Sequence, residues 1–132
     1  MDKICLLVVE DDPLVLIAIE AALLDAGFDV LTANSGSEAL LALAADDGKL
    51  KAVVTDIRMG TGPSGWDVAR HARERSPTMP VIYASGDSAD QWAVHGVPHS
   101  VMLCKPFAFP QLITALAGLL NEASEAAAQS EG

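Results

Sequence analysis

Basic residues are scarce in this 132-residue chain: 8 Lys and Arg stand against 18 Asp and Glu, for a net charge of −10. Nucleic acid is therefore not an expected partner, because phosphate backbones are held by clustered Lys and Arg. The bases gather once, at Arg70, Arg73 and Arg75, which reads as the solvated face of a helix. Long apolar runs are also missing. The longest unbroken one, Ala39 to Ala45, falls far short of the roughly 20 residues of a membrane span. Ile4–Val9 is the only stretch a signal peptide could use, and acids at Glu10, Asp11 and Asp12 stand where small residues should precede cleavage. A cytoplasmic location without membrane contact is the expectation. There are only two cysteines, Cys5 and Cys104. Each sits in an apolar run, so buried small hydrophobes are expected rather than a disulfide or a metal pair. Aromatics make up 5% of the chain, while 51% is hydrophobic, enough for one compact domain with its own core.

Apolar or β-branched runs bounded by turn residues occur at Ile4–Val9, Val30–Ala33, Ala52–Thr55, Val81–Ser85 and Ser100–Cys104. Most lack polar alternation, as strands buried on both faces do in a parallel sheet covered by helices. Helical patterns fill the intervals. Asp12-Pro13 supplies an N-cap and a first-turn proline for a helix ending near Gly27, and Ser35 to Glu38 is a capping box for a Leu/Ala helix that stops by Gly48. Ser64 to Asp67 repeats the cap for a helix running to about Ser76, before Pro77 and Pro80. A short helix follows Asp87. The last begins at Pro110, with Leu112, Ile113, Leu116, Leu119 and Leu120 on one stripe. Five strands alternating with five helices predict an α/β, doubly wound, five-stranded parallel sheet of order 2-1-3-4-5. The domain is read as residues 1–121, with 122–132 a frayed helix end and disordered tail.

In such sheets ligands bind beyond the carboxyl ends of the strands. Strand one ends in Glu10-Asp11-Asp12, strand three in Asp56, strand four in Ser85 and strand five in Lys105. Asp12, beside Pro13, is most simply a helix cap. Capping does not explain Glu10 and Asp11 coinciding with Asp56 at the end of the neighbouring strand. Carboxylates gathered in one crevice repel unless a cation joins them, and Mg²⁺ suits a few carboxylates plus water and a phosphate oxygen. Lys105 offers a compact positive charge, and its bond to Pro106 can take the cis form. Ser85 adds a hydroxyl. Together these residues make a phosphoryl-transfer site in which a carboxylate is the nucleophile.

LLVVEDDPLV, VVTDIRM, SGWDVAR, PVIYASGD and CKPF stand in the order and spacing of one family. The chain resembles a response-regulator receiver domain of two-component signalling (CheY-like, flavodoxin-like fold), over about residues 3–121. The resemblance implies that Asp56 is the phosphoacceptor and that Glu10, Asp11, Asp56 and the backbone carbonyl of Arg58 hold Mg²⁺. It implies that Ser85 is the hydroxyl switch and that Lys105, with a cis bond to Pro106, contacts the phosphoryl group. The implied donor is a histidine kinase or a histidine phosphotransfer protein. Two departures stand out. Gly65 lies nine positions after Asp56, one more than the family pattern, so the loop Gly60–Pro63 carries an extra residue. Met102 occupies a position where many receivers carry an aromatic that swings inward, so an aromatic-rotamer switch cannot operate there.

The expected function is that of a stand-alone receiver in a phosphorelay, a monomer or weak dimer and not a turnover enzyme. Its output would be contact with a downstream protein, with Trp92 and Phe109 as candidate anchors. A pseudo-receiver binding module is the alternative. An aspartyl-phosphate phosphatase would need an Asp-x-Asp pair at the first strand, where Glu10 stands first, and a flavin carrier would need a Ser/Thr/Gly loop where acids stand.

Overall fold

The computed structural model describes residues 3–131, with side chains described for 3–126. The strands are β1 (Cys5–Val9), β2 (Asp29–Ala33), β3 (Leu50–Asp56), β4 (Val81–Ser85) and β5 (Ser100–Cys104). They alternate with helices α1 (Pro13–Asp25), α2 (Gly36–Ala45), α3 (Gly65–Arg75), α4 (Trp92–His95, entered through a 3₁₀ turn at Ala89–Gln91) and α5 (Phe109–Glu131). All pairings are parallel and the sheet order is β2-β1-β3-β4-β5. No helix among the described residues is long and apolar enough to cross a membrane.

Strand alternation sends successive side chains to opposite faces. Leu6, Val8, Val54 and Ile82 pack on one face against Ile19 and Leu23 of α1 and Leu112 and Leu116 of α5. Leu7, Val9 and Val53 pack on the other against Ala39 and Leu43 of α2 and Val68 and Ala72 of α3. Each large side chain so buried contributes about 1.5–3 kcal/mol. The register aligns the carboxyl ends: Val9 lies opposite Ala33 and Thr55, Asp56 opposite Ala84, and Ser85 opposite Cys104.

The caps act locally. Asp12 Oδ1 accepts from the amides of Leu14 (3.0 Å) and Val15 (3.4 Å), the capping role its sequence position suggests. Ser64 and Asp67 form a reciprocal capping box on α3. The Ser64 amide, together with its hydroxyl and Arg70, holds the Asp67 carboxyl below the usual carboxylate range against the opposing effect of burial. An acid with a lowered folded-state pKa stabilises above its ordinary range and loses that contribution as pH falls through the lowered value. Asp67→Asn is expected to cost about 1 kcal/mol at neutral pH and to converge with the native protein in acid, as urea melts at the two pH values would record.

Four expectations need correction. Only β1 and β4 are buried along their whole length and β3 over Ala52–Thr55; β2 and β5, at the edges, are partly exposed. Cys104, the last residue of edge strand β5, is exposed, whereas Cys5 is buried and its thiol pKa is raised by that burial. Helix α5 runs to Glu131 instead of fraying from Asn121, because Ala123, Ala126, Ala127 and Ala128 are strong helix formers. Arg70 and Arg75 are exposed, as a solvated face requires, but Arg73 is half-buried. Arg70 pairs with Asp67, Arg75 donates to the Asp46 carbonyl, and Arg73 reaches three carbonyls, those of Met79, Pro98 and His99.

Candidate functional site

Glu10, Asp11 and Asp56 converge at the carboxyl edge of the central strands, each offering one carboxylate oxygen, all within 4.8 Å of one another. Glu10 is 2% exposed, fixed by the β1–β2 pairing through its amide to the Ala33 carbonyl (3.1 Å), and its Oε2 accepts from the Asp12 amide. Asp56 is half-buried, and its Oδ1 accepts from the Ile57 amide at 2.7 Å. Lys105 spans the pair: Nζ lies 2.5 Å from Glu10 Oε1 and 3.3 Å from Asp56 Oδ2. The Lys105–Pro106 bond is cis, and the Lys105 amide donates to the Ser85 carbonyl, tying the end of β5 to β4.

Electrostatics follow from this crowding. Burial raises the pKa of Asp11, helped by its hydrogen bond with Glu10 and by that neighbour's charge. Burial alone would lower the pKa of Lys105, but the Glu10 hydrogen bond and the charge of Asp56 outweigh it and raise the value. The lysine therefore stays charged, and three carboxylates face one cation. An all-oxygen donor set with excess negative charge fits a hard divalent ion such as Mg²⁺.

Residues 6–117 match the response regulator receiver domain. The chain belongs to this family. It is similar to a response regulator receiver protein from Sinorhizobium medicae, with 44% identity, a TM-score of 0.90, and coverage of 92% of this chain and 98% of that one. It is also similar to the transcriptional regulatory protein PrrA of Mycobacterium tuberculosis, 33% identical over 126 residues, which cover 94% of this chain and 53% of the relative. The chain thus spans about half the length of the curated relatives it matches. A second similar solved structure, TrrA of Thermotoga maritima in complex with Mg²⁺ and BeF, is 25% identical with a TM-score of 0.77, covering 89% of this chain and 99% of that one. Receiver domains are signalling modules.

The other residues that the resemblance points to, Arg58 and Ser85, lie just after β3 and at the end of β4. Arg58, two positions after Asp56, sends its Nε to Ser88 Oγ (3.3 Å) and its Nη1 to Asp87 Oδ2 (3.6 Å), joining the β3–α3 and β4–α4 loops. Ser85 Oγ accepts from the amides of Asp87 (3.2 Å) and Ser88 (2.8 Å), so this hydroxyl organises the β4–α4 loop. Neither the Arg58 side chain nor Ser88 carried a signal in the sequence, since their partnership spans 30 positions.

Met102 is half-buried beside Ile57, Trp66, Ala69, Val81 and Tyr83 and lies opposite Tyr83 in register. Tyr83, two residues before Ser85, is not among the residues the sequence pattern singles out. It is fully buried, its ring sits 4.7 Å from that of Trp66, and its hydroxyl accepts from the Val97 amide at 3.1 Å. The receiver's aromatic mass is therefore on β4 rather than β5. From Val97 the contacts continue outward. Ser100 Oγ donates to the Val97 carbonyl (2.6 Å) and accepts from Trp92 Nε1 (2.9 Å), leaving Trp92 39% exposed on α4. Phe109, at the start of α5, is 38% exposed. A concavity of about 1060 Å³ lies at the opposite end of the sheet between α5 and Ile4, Leu50 and Pro80, away from these groups.

Proposed function

We propose that this receiver accepts one phosphoryl group on Asp56 from a phosphohistidine of a histidine kinase or histidine phosphotransfer protein. One observation carries the reading: the carboxylate oxygens of Glu10, Asp11 and Asp56 lie within 4.8 Å of one another, with Lys105 bridging Glu10 and Asp56. Mg²⁺, which Glu10, Asp11, Asp56 and the Arg58 carbonyl would hold, supplies neutralisation of the phosphoryl oxygens when bound. A carboxylate oxygen of Asp56 attacks phosphorus, the donor N–P bond breaks, and the departing imidazole keeps the electron pair and takes up a proton. Lys105 lies close enough to Asp56 to exchange its carboxylate contact for a phosphoryl oxygen. Ser85 can donate its hydroxyl hydrogen to the same group, since its lone pairs already serve the loop amides.

The acyl phosphate signals rather than turning over substrate. Its output is docking onto a downstream protein by a cytoplasmic receiver, monomeric or weakly dimeric. A net charge of −10 argues for protein rather than nucleic acid at the receiver itself. The exposed apolar side chains of α1, Leu14 and Ile17, begin beside the acidic cluster and give the donor an uncharged surface to approach. Tyr83, Val97, Ser100 and Trp92 offer a path from the site to α4 that does not require an aromatic at position 102. Incubation with Mg²⁺ and a small acyl phosphate is expected to add one base-labile phosphoryl group by intact mass, absent in Asp56→Asn. An unchanged native mass would turn the reading to a pseudo-receiver.

A further inference from the structure

We infer that the first turn of α2 positions the phosphoacceptor, with Gly36 as the positioning residue; the inference rests on the reading of Asp56 just given. Gly36 is buried at the start of α2, and a methyl group there would collide with the Pro63 carbonyl, coming within 2.8 Å of its carbon and 2.9 Å of the Pro63 Cβ. Two residues on, a methyl group at Gly65 would collide with the Asp56 carbonyl and come within 2.9 Å of the Ile57 Cα. The Gly65 amide also donates to the Ile57 carbonyl at 2.8 Å.

Between α2 and the backbone of Asp56 there are thus two glycine-width contacts in series, with no side chain to yield. Close-packed interiors transmit such displacements instead of absorbing them. The segment between them is pinned at its other end by Met59, 4% exposed in the core under α2 and α3. Its slack lies at Gly60 and Gly62, whose φ values of +64° and +96° only glycine adopts readily. Pro63 of this loop packs directly on the first turn of α2. The loop also carries the Arg58 carbonyl, so a push from α2 reaches both the acceptor and a backbone oxygen of the acidic site.

The test is a Mg²⁺ titration followed by fluorescence of Trp66, the residue after Gly65, alongside thermal melts in EDTA. Gly36→Ala is expected to weaken Mg²⁺ binding roughly five- to tenfold and to slow phosphorylation of Asp56 at saturating Mg²⁺. Leu41→Gly, at a side chain 73% exposed on α2, lowers the helix propensity without touching the core under the loop, and is expected to lower the melting temperature with Mg²⁺ affinity unchanged. Pro63→Ala keeps the carbonyl but frees its φ, and is expected to weaken Mg²⁺ binding two- to threefold, which keeps the inference testable should Gly36→Ala not fold. Native Mg²⁺ affinity in Pro63→Ala and in folded Gly36→Ala would overturn the inference, as would an equal loss in Leu41→Gly. A native protein that neither responds to Mg²⁺ nor gains a phosphoryl group would overturn the reading of Asp56 instead.

Discussion

Lys105→Ala is expected to destabilise the metal-free protein by about 3 kcal/mol, and millimolar Mg²⁺ is expected to restore a large part of that loss. The lysine side chain is 26% exposed while Glu10 is 2% exposed, so truncation leaves a buried carboxylate beside Asp56 and Asp11 with no cation. Removing one partner of a buried ion pair costs about 3–5 kcal/mol, and partial access of water to this lysine places the effect at the low end. For a domain of this size that is a fall of about 10 °C in melting temperature. Mg²⁺ binds the folded protein alone and supplies the missing positive charge, so the variant should gain more from the ion than the native protein does. The pH dependence has a definite sign. Because the Lys105 pKa is raised, its contribution is fully present below the ordinary lysine range and disappears as pH rises through the elevated value. Melts in EDTA and in Mg²⁺ check both parts. A variant as stable as the native protein in EDTA would mean that the ion pair is not a net stabiliser.

Arg73→Ala is expected to cost about 2 kcal/mol and to loosen the turn between α4 and β5. One guanidinium on α3 serves the carbonyls of Met79 (2.6 Å), Pro98 (2.6 Å) and His99 (3.1 Å), and burial lowers its pKa. Hydrogen bonds from a charged donor contribute about 1.5–3 kcal/mol where water is excluded, less at the exposed Pro98 and His99. The same turn holds His99 at φ +57°, a left-handed conformation that a non-glycine residue keeps only under restraint from its neighbours. Arg73→Lys should recover only part of the loss, since a single ammonium cannot reproduce the planar fork. Urea melts give the energy. Faster amide exchange at Val97, whose N–H binds Tyr83, would locate the loosening.

What could be read in the sequence was what repeats or acts locally. The apolar runs gave the strands, Asp12-Pro13 and Ser64 to Asp67 gave the helix starts, and the polar residue closing each strand pointed to the cluster of Glu10, Asp11, Asp56 and Lys105. What could not be read depends on distant partners. Cys104 and Cys5 stand in similar apolar runs, yet one is exposed because β5 has a neighbour on one side only. Arg73 looked like a surface base because its partners, Pro98 and His99, come 25 and 26 positions later. Gly36 resembled an ordinary helix-start residue, and nothing local announces the Pro63 carbonyl against it. Tyr83 did leave a signal, a lone tyrosine in an apolar strand two residues before Ser85, and a buried phenol needs a hydrogen-bond partner.

Trp92 lies over Gly96, where a methyl group would come within 2.7 Å of the indole nitrogen, and the same nitrogen is bonded to Ser100. A large aromatic half open to water would ordinarily sample several rotamers and surrender that freedom on being covered, at about 0.5–1.5 kcal/mol. Here folding itself has already removed the freedom. A protein that closes over α4 meets a ring held in one orientation, so the area it buries there is offset by less ordering cost than at Val94, which is 79% exposed on the same helix.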